Sequence, residues 1–138
     1  MKICTFFGHR YVPERIKPAI KKVIIEMITV ESVGCFYVGH NGQFDHMVIR
    51  LLEELKKTYD FQYAIILEKI GQDVGAEWDK TLFHQGLESV PPRYAIWHRN
   101  KWMVEQADYV IAYLVHPSGG AGQFIELAKK KKKKIIYI

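Results

Sequence analysis

Only two cysteines stand among the 138 residues, too few for the disulfide scaffold of a small secreted domain. Cys4 and Cys35 both fall in segments that read as strands, so two buried thiols are expected rather than a bridge or a metal pair. No apolar run approaches the ~20 residues that span a bilayer. The first residues, Met1 to Phe7, read as a strand ending at Gly8 and not as a secretory signal. A cytoplasmic setting without a membrane partner is therefore expected. Metal-site spacing is missing too: the six histidines are scattered, and none stands with a carboxylate at ligand spacing. Also missing are a Gly-x-x-x-x-Gly-Lys-Ser/Thr phosphate loop and a serine or cysteine nucleophile at a strand-to-helix elbow. Neither a metal nor a cofactor is expected.

Negative charge is scarce relative to positive, and the formal net charge is +5. Six of the 20 basic residues, however, form one run, Lys129 to Lys134, and the rest of the chain carries 14 basic against 15 acidic residues. Lysines at the end of a helix are favoured by its dipole. A basic helix end on a nearly neutral body makes a nucleic-acid partner an unfavoured reading.

What is present is an alternation of strand and helix patterns filling one domain, residues 1–138. Strands are expected over Lys2–Phe7, Cys35–Val38, Gln62–Leu67, Asp108–Val115 and Ile135–Ile138. Helices are expected from Pro13 to about Val30, Phe44 to about Thr58, Tyr94 to Gln106 and Gly122 to Lys131. Between Glu68 and Pro92 the pattern is poor; a short helix around Ala76–Leu82 and a short strand near Leu87–Val90 are expected. The order predicts an α/β fold: a Rossmann-like three-layer sandwich around a mostly parallel, doubly wound sheet of five to six strands. Such sheets bind ligands at the carboxyl ends of their strands.

Three strand-end loops carry suggestive residues. Gly8, His9 and Arg10 follow the first strand; Arg10 suits a phosphate or carboxylate, or the sheet edge, and His9 suits a ligand or a packed loop. Gly39 and Gly42 precede Asp45, either a helix-start carboxylate or a partner for ribose hydroxyls. Gly119, Gly120 and Gly122, with Gln123, follow the strand after Arg99 and Asn100. Glycines there let backbone N–H groups approach a phosphate at a helix start. Glu126, further along that helix, suits either the dipole or acid/base work. Trp97 and Trp102 are expected in the core, and His116 as a loop residue. Aromatics near Trp78 and Phe83 leave a homo-oligomer open.

Three of these segments together resemble the SLOG superfamily of Rossmann-like domains, and within it the YpsA/YoqJ-like group. Thr5-Phe6-Phe7-Gly8-His9-Arg10 resembles that group's opening Gly-His-Arg signature. Gly39 to Asp45 is similar to its second glycine turn followed by Asp. Tyr94 with Arg99-Asn100-Lys101-Trp102-Met103-Val104 is similar to its segment before an Asp-led strand. The LOG phosphoribohydrolases and the DprA proteins are more distant kin. Relative to LOG enzymes, Arg99 and Met103 keep one spacing, and Gly119, Gly120, Gly122 and Glu126 another. The resemblance implies a nucleotide-like small ligand, ADP-ribose-like in a sensor. It also implies that Arg99 and Glu126 occupy the positions of the LOG catalytic pair that cleaves an N-glycosidic bond. Asn100, Ser118 and Gln123 depart from the LOG pattern, so binding and hydrolysis both stay open. The same families commonly have glycine where Lys132 stands, which predicts a final helix that frays or runs on.

Overall fold

In the computed structural model, which describes residues 1–68, 81–83, 87–116 and 119–138, strand and helix alternate as the hydrophobic pattern requires. β1 (Lys2–Gly8) leads through a 3-10 turn at Glu14–Ile16 into α1 (Lys17–Thr29), then β2 (Val33–Val38), α2 (Gln43–Leu55) and β3 (Gln62–Leu67). β4 (Thr81–Phe83), 3-10 turns at Leu87–Ser89 and Pro92–Tyr94, α3 (Ala95–Gln106), β5 (Tyr109–Tyr113), α4 (Gly120–Lys130) and β6 (Lys134–Tyr137) follow. All six strands are parallel, in the order β4-β3-β2-β1-β5-β6. The chain winds outward from β1 to β4 and then returns to lay β5 on the other flank of β1. The strand order therefore reverses between β1 and β5, which opens a crevice there.

Alternation along β1 feeds two cores. Cys4 and Phe6 join Ile20, Ile24 and Met27 of α1 and Val48, Leu51, Leu52 and Leu55 of α2 on one face. Phe7 joins Met103 and Val104 of α3 and Phe124, Ile125 and Ala128 of α4 on the other. Each such side chain contributes about 1.5–3 kcal/mol by leaving water, so the parallel sheet is covered on both faces. Both cysteines are buried and free. Burial pushes the Cys4 thiol far above its ordinary range, so it stays protonated.

Three local expectations change. Thr81 and Leu82, expected at the end of a short helix, lie in the edge strand β4; the rest of that expected helix, 76–80, lies outside the described residues, as does Trp78. Leu87–Ser89 is a 3-10 turn closed by Val90 N–H on the Leu87 carbonyl at 3.0 Å, not a strand. Pro91 and Pro92, which lack N–H donors, prevent a ladder from continuing there.

The third change is at the end of α4, which neither frays nor runs on. Lys132 takes φ 58°. The Lys133 N–H reaches the Ala128 carbonyl at 2.9 Å, and the Lys132 N–H reaches that of Lys129 at 3.0 Å. These two bonds form a Schellman closure with lysine in the left-handed position that glycine prefers. Lys132→Gly is expected to raise stability by about 0.5–1 kcal/mol, read as a higher urea midpoint at unchanged slope.

Candidate functional site

A cleft of about 680 Å³ opens at the carboxyl ends of β1, β2 and β5, beside the β1–β5 reversal. Gly8, His9 and Arg10 line it from the loop after β1, Asn41, Gly42 and Asp45 from the turn into α2, and Arg99 and Asn100 from α3. Gly119 and Gly120 line it at the start of α4. Gly39 lies directly behind, where an added Cβ would stand 2.9 Å from Asp45 Oδ2 and 3.0 Å from Arg99 Nη2. Ten of the residues singled out from sequence therefore meet in or against one cleft.

Three do not. Gly122 is buried inside α4. Gln123 and Glu126 line a separate groove of about 660 Å³ with Trp97, Phe124 and Leu127. Glu126 is 72% exposed there and pairs with Lys129 at 3.0 Å. Arg99 and Glu126, which share a spacing in sequence, occupy different depressions. Trp97, expected in the core, is 38% exposed.

The floor of the cleft is ionic. Arg99 is 2% exposed, so burial draws its guanidinium below the ordinary arginine range, opposed by Asp45 and Glu68. Nη1 donates to Glu68 Oε2 at 3.0 Å, while Nε and Nη2 donate to Asn100 Oδ1 at 3.0 and 2.8 Å. Glu68 Oε2 also meets His40 Nε2 at 2.9 Å. Asp45, in the first turn of α2, accepts the Asn41 N–H at 3.1 Å. Burial raises its carboxyl above the usual range; the Asn41 N–H and the nearby Arg99, His40 and His46 act the other way. One guanidinium thus bonds Glu68 and Asn100 with the Asp45 charge nearby, and spends its hydrogen bonds inside the protein. Glu68 and His40 are participants the sequence reading missed. Glu68 stands one residue past the end of β3, a strand-end position that carries the signal.

The rim is cationic. Arg10 and Arg15 are exposed there. Gly119, at φ 93°, turns the chain into α4, and an added Cβ at Gly119 or Gly120 would meet nothing within 4 Å. The N–H groups of that first helical turn lack partners within the helix, so they favour an anion. His9 Nε2 accepts the Val115 N–H at 2.9 Å, which places the imidazole proton on Nδ1. The His9 ring stacks on His116 with centroids 4.2 Å apart, so His116 is part of the rim. Burial, helped by His116, pulls the His9 pKa below its ordinary value.

The chain matches no family model and no curated protein. Among the described residues, no group of three or more His, Cys, Asp or Glu side chains could hold a metal ion. Among the same residues, no helix is long and apolar enough to cross a membrane. Four lysines of the run face acceptors on the protein's own surface. Lys129 faces Glu126, Lys131 faces Glu105 at 3.8 Å, Lys133 Nζ reaches the Glu105 carbonyl at 3.3 Å, and Lys134 faces Glu31 at 4.0 Å.

Proposed function

We propose that this protein is a cytoplasmic, SLOG-type binding domain for a nucleotide or nucleotide-derived ligand, ADP-ribose-like in chemistry and sensory in role. The observation that carries the reading is the division of one cleft into a cationic rim and an acceptor-rich floor. Arg10, Arg15 and the first turn of α4 suit phosphate oxygens. Asp45 suits the hydroxyls of a sugar, which donate hydrogen bonds to a carboxylate.

Binding is favoured over N-glycosidic hydrolysis because Glu126 stands in solvent and is paired with Lys129. A nucleic-acid partner is disfavoured because the basic charge is confined to one tract, four of whose lysines already face acceptors on the protein's own surface. Titration calorimetry with AMP, ADP-ribose and NAD is expected to give a saturable heat with at least one of them. The exposed Arg10, changed to Gln, is expected to weaken that binding roughly 10- to 100-fold, the worth of a charge-assisted bond. No heat from any of the three with folded protein sinks the proposal.

A further inference from the structure

The side-chain Oδ1 of Asn41 is buried and has no hydrogen-bond partner, the single such atom among the described residues. Native proteins rarely leave a buried acceptor unpaired, because losing its water costs free energy that nothing returns. The usual reasons for asparagine in a glycine turn do not apply here. Asn41 is not among the described residues with positive φ, which besides glycine are Ser32 and Lys132, so it is not present to fill a left-handed corner. Its amide forms no turn-closing bond; the contact that holds the residue is its backbone N–H on Asp45 Oδ2. The main chain is thus pinned while the side chain is idle, on the wall of the cleft beside Asp45 and Arg99.

We infer that Asn41 is a specificity-determining residue of the cleft, whose amide oxygen turns outward to accept a hydrogen bond from a hydroxyl or amino group of the ligand. This rests on the nucleotide reading above and deepens it. The terminal torsion of asparagine is broad and soft, and no partner has to be released when Oδ1 swings into the cleft. With Asp45 alongside, the floor presents two neighbouring acceptors. A ligand offering donors there relieves the unpaired oxygen, whereas one lacking them leaves it unpaired. Discrimination against missing donors is strong for this reason. Two parts of a nucleotide carry such donors: the sugar hydroxyls and an exocyclic amine of the base.

The test has a ligand-free arm and a binding arm. In the free protein, Asn41→Ala and Asn41→Leu are expected to melt at or above the wild-type temperature, since each removes an unsatisfied group. A clear fall in melting temperature for both means the amide has an internal partner, and overturns the inference. In the binding arm, Asn41→Ala is expected to weaken AMP about tenfold. The wild-type protein is expected to lose a similar factor with either 2′-deoxy-AMP, which lacks one hydroxyl, or purine riboside 5′-monophosphate, which lacks the amine. The analogue whose deficit disappears in Asn41→Ala identifies the group that Asn41 reads. AMP binding that Asn41→Ala leaves unchanged overturns this inference alone. A wild-type protein that binds none of AMP, ADP-ribose and NAD overturns the nucleotide reading along with it.

Discussion

Arg99→Met is expected to cost about 3–5 kcal/mol of folding free energy, because removing one partner of a buried ionic cluster leaves the others uncompensated. The methionine fills much of the volume, so the loss isolates the charge. Glu68 would keep its place without the Nη1 donor, and Asp45 would lose its nearest guanidinium. Urea titration is the measurement, and Arg99→Met/Glu68→Gln is the control. The double variant removes a buried carboxylate together with its cation and is expected to recover part of the loss. The deficit also has a predictable pH dependence. Asp45 already has a raised folded-state pKa from burial, and loss of the guanidinium raises it further. A native state that binds more protons than the unfolded chain loses stability as pH rises. The deficit of Arg99→Met is therefore expected to be larger at pH 7 than at pH 5. A loss below about 1 kcal/mol at pH 7 would place Arg99 with surface ion pairs instead.

Gly8→Ala is the second large effect. Read from sequence, Gly8 belongs to the loop after the first strand and is a candidate ligand-binding residue. The structure adds a packing reason: a Cβ there would stand 2.3 Å from Phe44 Cγ and 2.5–2.6 Å from the two neighbouring ring carbons. That ring is 1% exposed and stacks toward Tyr113 with centroids 6.5 Å apart, so it has little room to move. Overpacking of this kind costs about 1–3 kcal/mol. In the Phe44→Leu background the same change is expected to cost less, by at least about 0.5 kcal/mol, as contacting residues do. Equal costs in the two backgrounds, read from denaturant midpoints, would show that the ring is not what excludes the methyl group.

The fold was legible wherever burial imposes a period. Ile20, Ile24 and Met27 recur on one face of α1, and the β-branched and aromatic runs of β1, β2, β3 and β5 declare strands buried on both faces. The cleft was legible too, because a doubly wound sheet brings its strand-end loops together whatever their sequence. Partnerships across the chain were not. Arg99 and Glu68 are 31 residues apart, as are Val12 and the Gln43 side chain that receives its N–H, and no local pattern marks such pairs. Arg99 and Glu126 lie in different depressions for another reason: spacing fixes a position along a helix but not the direction it faces. The stripe that buries Phe124, Ile125 and Ala128 turns Gln123 and Glu126 toward solvent. β4 escaped notice because three residues at a sheet edge carry too little periodicity to register.

β1 pairs with β2 from Lys2 to Thr5 and with β5 from Cys4 to Gly8, where Gly8 aligns with Tyr113. Its exit, which carries His9 and Arg10, is therefore the stiff bank of the cleft. Among the described residues, the segment past β5 is tied to it by the Val115 N–H on His9 and by the stacking of His116 on the His9 ring. On the nucleotide reading proposed above, Arg10 is the fixed point against which an incoming phosphate is measured.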